Sequence, residues 1–277
     1  IDEDILYPNG VINSKVIGLS GFQYKFSILI DDDKKEITHD SSKSSNYFMK
    51  PYSKYYSTFD YRDKDRSYLP YLLVNEHIFM TIARDFGFKI PLNGIIKHGT
   101  DYHYFIKRYD RYNGNRIDHT EILTLMNKVS AEKYKVSMQD VFGTIKEYLD
   151  TNEVEELMKF VVFAIIIGHG DLHAKNMSLI NSSNKEDEKK KQLSPYYDIS
   201  TTKIYKDTKV NDIGLKILNK KKNIDREILL TFAASIGVDK DTIEKQIDEI
   251  SNKFIDRFLS YIELLPSETK GLKFHIN

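Results

Sequence analysis

Gly168-His169-Gly170-Asp171-Leu172-His173-Ala174-Lys175-Asn176 is the stretch on which the reading of this chain turns. An apolar segment, Leu157 to Gly168, leads directly into it. An aspartate is followed, five residues on, by an asparagine. That spacing sets a carboxylate able to take the proton of an attacking hydroxyl in one loop with an amide oxygen able to hold a metal ion. A second carboxylate follows in Ser194-Pro195-Tyr196-Tyr197-Asp198-Ile199-Ser200. Asp171 as base, with Asn176 and Asp198 as ligands for a hard cation such as Mg2+, predicts phosphoryl transfer. Within the loop, His173 is a candidate to orient Asp171 or the loop backbone. Lys175 is a candidate to touch the transferring phosphate. Each residue also has a plainer role open to it: capping aspartate, turn asparagine, packed histidine, solvated lysine. The spacing favours the chemistry.

Around this stretch the hydrophobic pattern changes along the chain. Phe22 to Ile30 partly alternates and predicts a strand, ending at the charged turn Asp31 to Lys35. Asn46 to Lys50 is a second short strand, stopped by Pro51. Tyr52 to Ser67 is polar and aromatic and reads as a loop. Leu72 to Phe86 has helical spacing, with Gly87 to end it. A strand pair follows, Asn93 to Lys97 and Tyr102 to Lys107. Tyr109 to Asn115 breaks regular structure and reads as a link. Beyond it the chain is mostly helical. Ser137 to Leu149 and Glu153 to Ile167 are helices, the second almost without charge after Lys159 and so expected in a core. Met177 to Ile180 and Leu193 onward read as a hairpin around a solvated charge run, Lys185 to Lys191. Arg226 to Ile236 and Asp241 to Leu264 are the closing helices.

A β-rich first part and a helical second part, with the chemistry after the junction, is the order of a protein-kinase-like fold. The expected division is 1–108, carrying nucleotide loop, lysine and helix, and 109–277, carrying the catalytic loop, the metal-binding aspartate and a helical tail. Such a kinase needs a lysine on the nucleotide phosphates and a carboxylate to hold it. Lys50 and Glu76 fit, with Lys25 competing for the lysine's place. Gly18, Ser20 and Gly21 form a loop able to approach phosphates closely, and Ser20 there is a candidate phosphorylation site.

Composition excludes other classes. Lys plus Arg and Asp plus Glu balance at 41 each, which gives no global pull toward nucleic acid or acidic membrane. With no cysteine, neither a disulfide frame nor a zinc–thiolate site can form. No apolar run reaches about 18 residues, so no spanning helix is expected. No basic start precedes an apolar stretch, so no signal peptide is expected, and the lack of cysteine fits a reducing cytoplasm. The first residue is Ile1, as expected of a trimmed start.

Ser20-Gly21-Phe22-Gln23-Tyr24-Lys25, the lysine of Phe48-Met49-Lys50, Asn75-Glu76, Lys107-Arg108-Tyr109-Asp110-Arg111, Gly168 to Ser178 and Ser194 to Ser200 occur in the order of HipA-type serine/threonine kinases. The chain resembles that family of toxin–antitoxin toxins over roughly residues 18 to 200. The resemblance implies an α+β, two-lobed, HipA-like kinase fold, with ATP and Mg2+ as cofactors. It implies Asp171 as catalytic aspartate, Asn176 and Asp198 as metal ligands, and Lys50 as ATP lysine. The backbone from Lys107 to Tyr109 would meet adenine, and Asp110 the ribose. The implied substrate is a protein, an aminoacyl-tRNA synthetase, whose modification blocks translation, with autophosphorylation at Ser20. The nucleotide loop arrives by residue 18, which makes the chain look like the short HipT toxins. Small HipS-like and HipB-like antitoxins would be its partners, with DNA reached only through an antitoxin. Gly18 stands where some HipT proteins have a second serine.

Two other readings stay open. The run H-G-D-L-H-x-x-N also resembles aminoglycoside-type phosphotransferases, which act on small molecules. A non-catalytic kinase-fold binding module is the third, opposed by the intact Asp171, Asn176, Asp198 and Lys50.

Overall fold

A computed structural model describes residues 25–31, 36–38, 45–52, 58–59, 67–68, 71–99, 101–112, 115–181, 191–204 and 211–263. The Gly18, Ser20 and Gly21 loop, most of Tyr52 to Ser67 and the charge run from Lys185 to Lys190 lie outside these residues. The chain divides into two compact units. One takes the described residues within Ile1–His77 and Pro91–Ile117, the other those within Ile78–Ile90 and Asp118–Asn277.

The first unit is built on an antiparallel sheet of β1 (Phe26–Asp31), β2 (Glu36–Thr38), β3 (Tyr47–Lys50), β6 (Asn93–His98) and β7 (Asp101–Lys107), in the order β2-β1-β3-β7-β6. β3 is central and buried at every position, so its residues serve both faces of the sheet. Phe26, Ile28, Tyr47 and Met49 form the core cluster, with Ile30, Ile37, Ile96 and Phe105 packed on it. The register sets Lys50 opposite Tyr104. Two small ribbons complete the described strands. β4 (Thr58–Phe59) pairs with β5 (Ser67–Tyr68), and β8 (Arg111–Tyr112) with β9 (Asn115–Arg116). Both fall where the sequence predicts irregular chain. Strands of two residues are too short to show an alternating pattern.

The boundary between the units falls inside α1 (Leu72–Asp85), which Gly87 follows at φ +90°. In the second unit, β10 (His119–Glu121), β11 (Ser178–Asn181) and β12 (Lys191–Leu193) form a three-stranded antiparallel sheet. The helices are α2 (Ile122–Leu125), α3 (Met138–Ile145), α4 (Thr151–Ile166), α5 (Arg226–Ser235) and α6 (Lys240–Glu263). Ser137 and Asp140 form a capping box at α3. Asp150 caps α4 by accepting from the Glu153 N–H at 3.1 Å. Such caps each contribute about 1 kcal/mol.

α4 is the core element its sequence predicts. Phe160 and Phe163 are fully buried. Phe88 meets both rings, and Tyr196 stacks on Phe160 at 3.9 Å. Each such aromatic side chain contributes about 1.5–3 kcal/mol by leaving water. The consequence is positional: a rigid helix delivers the chain to Gly168. Among the described residues no helix is long and apolar enough to cross a membrane.

Candidate active site

α4 stops because Gly168 takes φ +68°, a left-handed conformation that glycine adopts without strain. The chain then folds into a tight loop. The Leu172 N–H bonds to the His169 carbonyl at 3.1 Å, and the Asn176 N–H to the His173 carbonyl at 2.9 Å. The Asn176 side chain closes the loop, its Oδ1 accepting the His173 N–H at 3.0 Å. The interval from Asp171 to Asn176 is therefore a turn geometry as well as a chemical signature. Leu172, Ala174 and Met177 point into the core, and Asp171 is left exposed.

Three neighbouring segments fix this loop. The Ile122 N–H donates to the Met177 carbonyl at 2.9 Å, and the Ala174 N–H to the Lys133 carbonyl at 3.3 Å. The Thr202 N–H donates to the Gly168 carbonyl at 3.0 Å. Tyr197 donates its hydroxyl to the Lys175 carbonyl at 2.8 Å. That last bond ties the Asp198 segment to the loop carrying Asp171 and Asn176. Packing beneath is tight. A Cβ on Gly170 would lie 2.3 Å from Thr202 Oγ1, and one on Gly214 would lie 2.3 Å from the Leu172 carbonyl oxygen.

Asp198 adopts φ +56°. For a residue with a Cβ this costs roughly 1–2 kcal/mol, least for Asp and Asn. It is half-buried between Tyr197 and Ile199. The described residues contain no group of three or more His, Asp or Glu that would cage a metal. Asn176 Oδ1 keeps a second lone pair beside the one given to His173, and Asp198 supplies a carboxylate. A short, all-oxygen donor set fits Mg2+, which keeps waters and binds substrate phosphates.

Both histidines of the loop region are neutral. Burial pushes His169 down to about 4, against a weaker opposing pull from Asp198. The Ser200 backbone also favours the charged form slightly, though neither ring nitrogen of His169 has hydrogen-bond geometry to a partner. Burial, then the charge of Lys133, pushes His173 down to about 3. His173 Nε2 lies 3.0 Å from Lys133 Nζ, and its ring meets Tyr134 edge-on at 5.0 Å. It is placed to position the loop, not to exchange protons. Lys175 is 3.6 Å from Glu121 Oε2 and 3.3 Å from Ser130 Oγ.

In the first unit, Lys50 Nζ lies 2.8 and 2.7 Å from the two oxygens of Glu76. Both side chains are more than nine-tenths buried, and the Tyr104 ring lies 5.5 Å from the ammonium. β3 supplies the lysine and the first turns of α1 supply the glutamate. Lys25 is also buried, but it is Lys50 that engages both Glu76 oxygens. Lys107 ends β7 with an exposed side chain. Its N–H is taken by the Leu92 carbonyl at 2.7 Å, and that of Arg108 by Asn46 at 2.9 Å. Asp110 receives a two-pronged bond from Arg108, at 2.9 and 2.7 Å, and another from Arg111 at 2.7 Å. A ribose hydroxyl at Asp110 would share oxygens with two guanidinium groups. Tyr109 is half-buried beside it. Lys50 and Glu76 are brought together in one unit, and Asp171, Asn176 and Asp198 in the other. Ser20 and Gly21 lie outside the described residues.

Lys133 and Tyr134 are site residues that the sequence does not reveal. The Tyr134 hydroxyl bonds Asp171 Oδ1, and both Asp171 and Asp198 act on the Lys133 charge. They sit about forty residues upstream, in a polar stretch with no motif of its own.

An antiparallel sheet unit holding a buried lysine–glutamate pair, with a helical unit holding an Asp-x-x-x-x-Asn loop, defines a kinase-like fold. Residues 17–258 match the HipA-like C-terminal domain, and the chain belongs to that family. The fold is similar to HipA of the Shewanella oneidensis MR-1 toxin–antitoxin system, solved with HipB and its operator DNA. The TM-score is 0.74 at 16% identity, over 98% of this chain and 66% of that one. It is also similar to the Helicobacter pylori proinflammatory kinase CtkA, with a TM-score of 0.51 at 16% identity, over 92% of this chain and 96% of that one. A Haemophilus influenzae protein named "Putative kinase" is 26% identical over 204 residues, which are 68% of this chain and 54% of that protein. The chain thus spans about half the length of that curated relative.

Proposed function

We propose that this chain is an ATP-dependent serine/threonine protein kinase acting as the toxin of a toxin–antitoxin system. The observation that carries the kinase reading is the bond from Tyr197 to the Lys175 carbonyl. It joins the Asp198 segment to the loop bearing Asp171 and Asn176, the three groups that phosphoryl transfer requires. Lys50, oriented by Glu76, holds the nucleotide phosphates. Asp171, exposed at the loop surface, accepts the proton of the attacking hydroxyl. Asn176 and Asp198 would hold Mg2+, which neutralises phosphate charge when bound.

The toxin reading draws on family membership and on the HipA relative, which was solved with HipB and operator DNA. The sequence resemblance to HipA-type kinases makes an aminoacyl-tRNA synthetase the proposed substrate, with inhibited translation as the result. Ser20 is the autophosphorylation site, where a dianion would repel nucleotide phosphates. We place the chain with the HipT type, neutralised by HipS-like and HipB-like proteins, with DNA bound only through the antitoxin.

The test is incubation of the purified protein with labelled ATP, Mg2+ and a bacterial extract, with Asp171→Ala as control. A labelled protein band of synthetase size, absent with the variant, is the expected result. Label in a small molecule would replace the protein-kinase reading with the phosphotransferase one. Label in neither would remove the enzyme reading. Mass spectrometry of the same reaction places the autophosphate on Ser20 or rejects that site.

A further inference from the structure

We propose that Tyr134 is a positioning residue for the phosphoryl transfer: its hydroxyl holds the Asp171 carboxylate in the orientation that takes the acceptor's proton. The assignment rests on the kinase reading above. The Tyr134 hydroxyl donates to Asp171 Oδ1. The chain is fixed on both sides of Tyr134. Before it, the Lys133 carbonyl accepts the Ala174 N–H of the Asp171 loop at 3.3 Å. After it, Val136 is buried and the Met138 N–H bonds the Lys216 carbonyl at 2.8 Å. The ring is held as well. It meets His173 edge-on at 5.0 Å, and the ammonium groups of Lys133 and Lys221 lie 4.9 and 5.8 Å from its centre. A half-buried, packed phenol thus reaches a carboxylate that is itself exposed.

The loop alone does not set that carboxylate. Its backbone bonds fix where the Asp171 Cα lies, but an exposed side chain still turns between rotamers in water. A tyrosine has few torsions to lose, so a packed one makes a rigid anchor. A reacting geometry demands that the base be held close to its target and aligned with it. A carboxylate has about four acceptor sites, so a bond from Tyr134 is compatible with receiving the substrate proton. It is equally compatible with other groups acting on Asp171, such as the nearby charge of Lys133. In the step itself the hydroxyl oxygen bonds to the γ-phosphorus and the bond to the β-phosphate oxygen breaks. The hydroxyl proton passes to Asp171, and ADP leaves. Tyr134 keeps its proton throughout.

The experiment compares Tyr134→Phe, which removes only the hydroxyl, with Tyr134→Ala, which removes the ring. Label transfer from Mg–ATP to a bacterial extract is read against ATP concentration and against pH, and melting temperature checks folding. Tyr134→Phe is expected to lose about 10–100-fold in rate at saturating ATP, with half-saturating ATP and melting temperature unchanged. A donor on an ionised carboxylate favours the ionised form, so removing it should also move the acid limb of the pH–rate profile upward. Lys133, Lys175, Glu121 and Asp198, whose charges act together here, are common to parent and variant. Tyr134→Phe at the parent rate, with loss only in Tyr134→Ala, would make Tyr134 a packing residue and overturn the assignment. So would a slower Tyr134→Phe whose acid limb stays in place, or whose melting temperature falls with its rate. A faster Tyr134→Phe would mean that the phenol occupies the acceptor's place, and would overturn it too. A parent that transfers no label overturns the kinase reading and this assignment together. An active parent with any of these contrary results in its variants overturns this assignment alone.

Discussion

Lys50 and Glu76 sit within a sheet unit with both side chains buried and both carboxylate oxygens taken. Asp171 instead stands exposed on a loop whose accuracy comes from what lies beneath it: glycines, buried Leu172 and Ala174, and bonds to three neighbouring segments. The first arrangement is complete before any ligand arrives. Its two charges have left water, at a desolvation cost that only close geometry offsets. The second keeps its carboxylate in water and invests in the scaffold. In the proposed kinase, holding a nucleotide would reward a fixed charge, whereas receiving a hydroxyl would require an open one. The two regions should therefore fail differently.

The largest effect belongs to the loop and should be purely chemical. Asp171→Ala is expected to lower phosphorylation by about 10²–10⁴-fold, and Asp198→Ala by at least as much. An exposed carboxylate contributes little to stability, so Asp171→Ala should melt near the parent. Loss of fold in Asp171→Ala, or full activity in either variant, would contradict the division. The buried pair should behave in the opposite way. Glu76→Ala leaves the Lys50 ammonium buried without its partner and should cost about 3–5 kcal/mol in urea unfolding. Replacing both residues, Lys50→Met with Glu76→Leu, should restore much of that stability and no activity. A double variant as unstable as Glu76→Ala would show that the charge is not the problem.

A third variant probes the scaffold. Gly214→Ala drives a methyl group into the Leu172 backbone, 2.3 Å from its carbonyl oxygen and 2.8 Å from its nitrogen. Backbone cannot rotate aside as a side chain can, so the catalytic loop must shift. The expected cost is about 1–3 kcal/mol. Activity should fall further than stability, since a displacement near 1 Å at reacting atoms costs about 10²-fold in rate. Wild-type kcat with wild-type stability would mean the loop tolerates the shift.

This contrast also sets how much was legible in the sequence. α4, β3, β6, β7 and β11 are long or periodic enough to read, and each lies within a residue or two of its expected place, whereas β12 ends at Leu193, where the sequence reading has it begin. Lys50 with Glu76 was legible because a lysine ends a short strand and a carboxylate sits on the helix that follows, the two groups a kinase-like fold asks for. Asp171 and Asn176 were legible because the turn that closes their loop is also their motif. Lys133 and Tyr134 were not, because they reach the site through tertiary packing from a stretch with no pattern. The β8–β9 ribbon was missed for its length. Asp110 shows a subtler limit: Arg108 and Arg111 flank it in sequence, and the structure spends its carboxylate on both.

His169 sharpens the comparison by its smallest measurable effect, because it is a buried group in the loop unit whose burial outweighs the pull of its nearby charge, Asp198. Its folded pKa, lowered to about 4 by burial, lies below the ordinary unfolded value near 6.5. The unfolded chain therefore binds a proton that the folded protein refuses. Stability from this residue is fully present above about pH 6.5 and declines as pH falls, levelling off below about pH 4. Between pH 6.5 and 5.5 the loss attributable to His169 comes to about 1 kcal/mol. His169→Leu removes the titrating ring and its two unbonded nitrogens at similar volume. The carboxylates and other histidines are common to both proteins and cancel in the difference. Urea unfolding at the two pH values should thus show the variant gaining about 1 kcal/mol on the parent as pH falls. Parallel stability curves would mean that His169 ionises as freely in the fold as out of it, through an opening of the loop unit below α4 that the Lys50–Glu76 region, with its charges already paired, does not share.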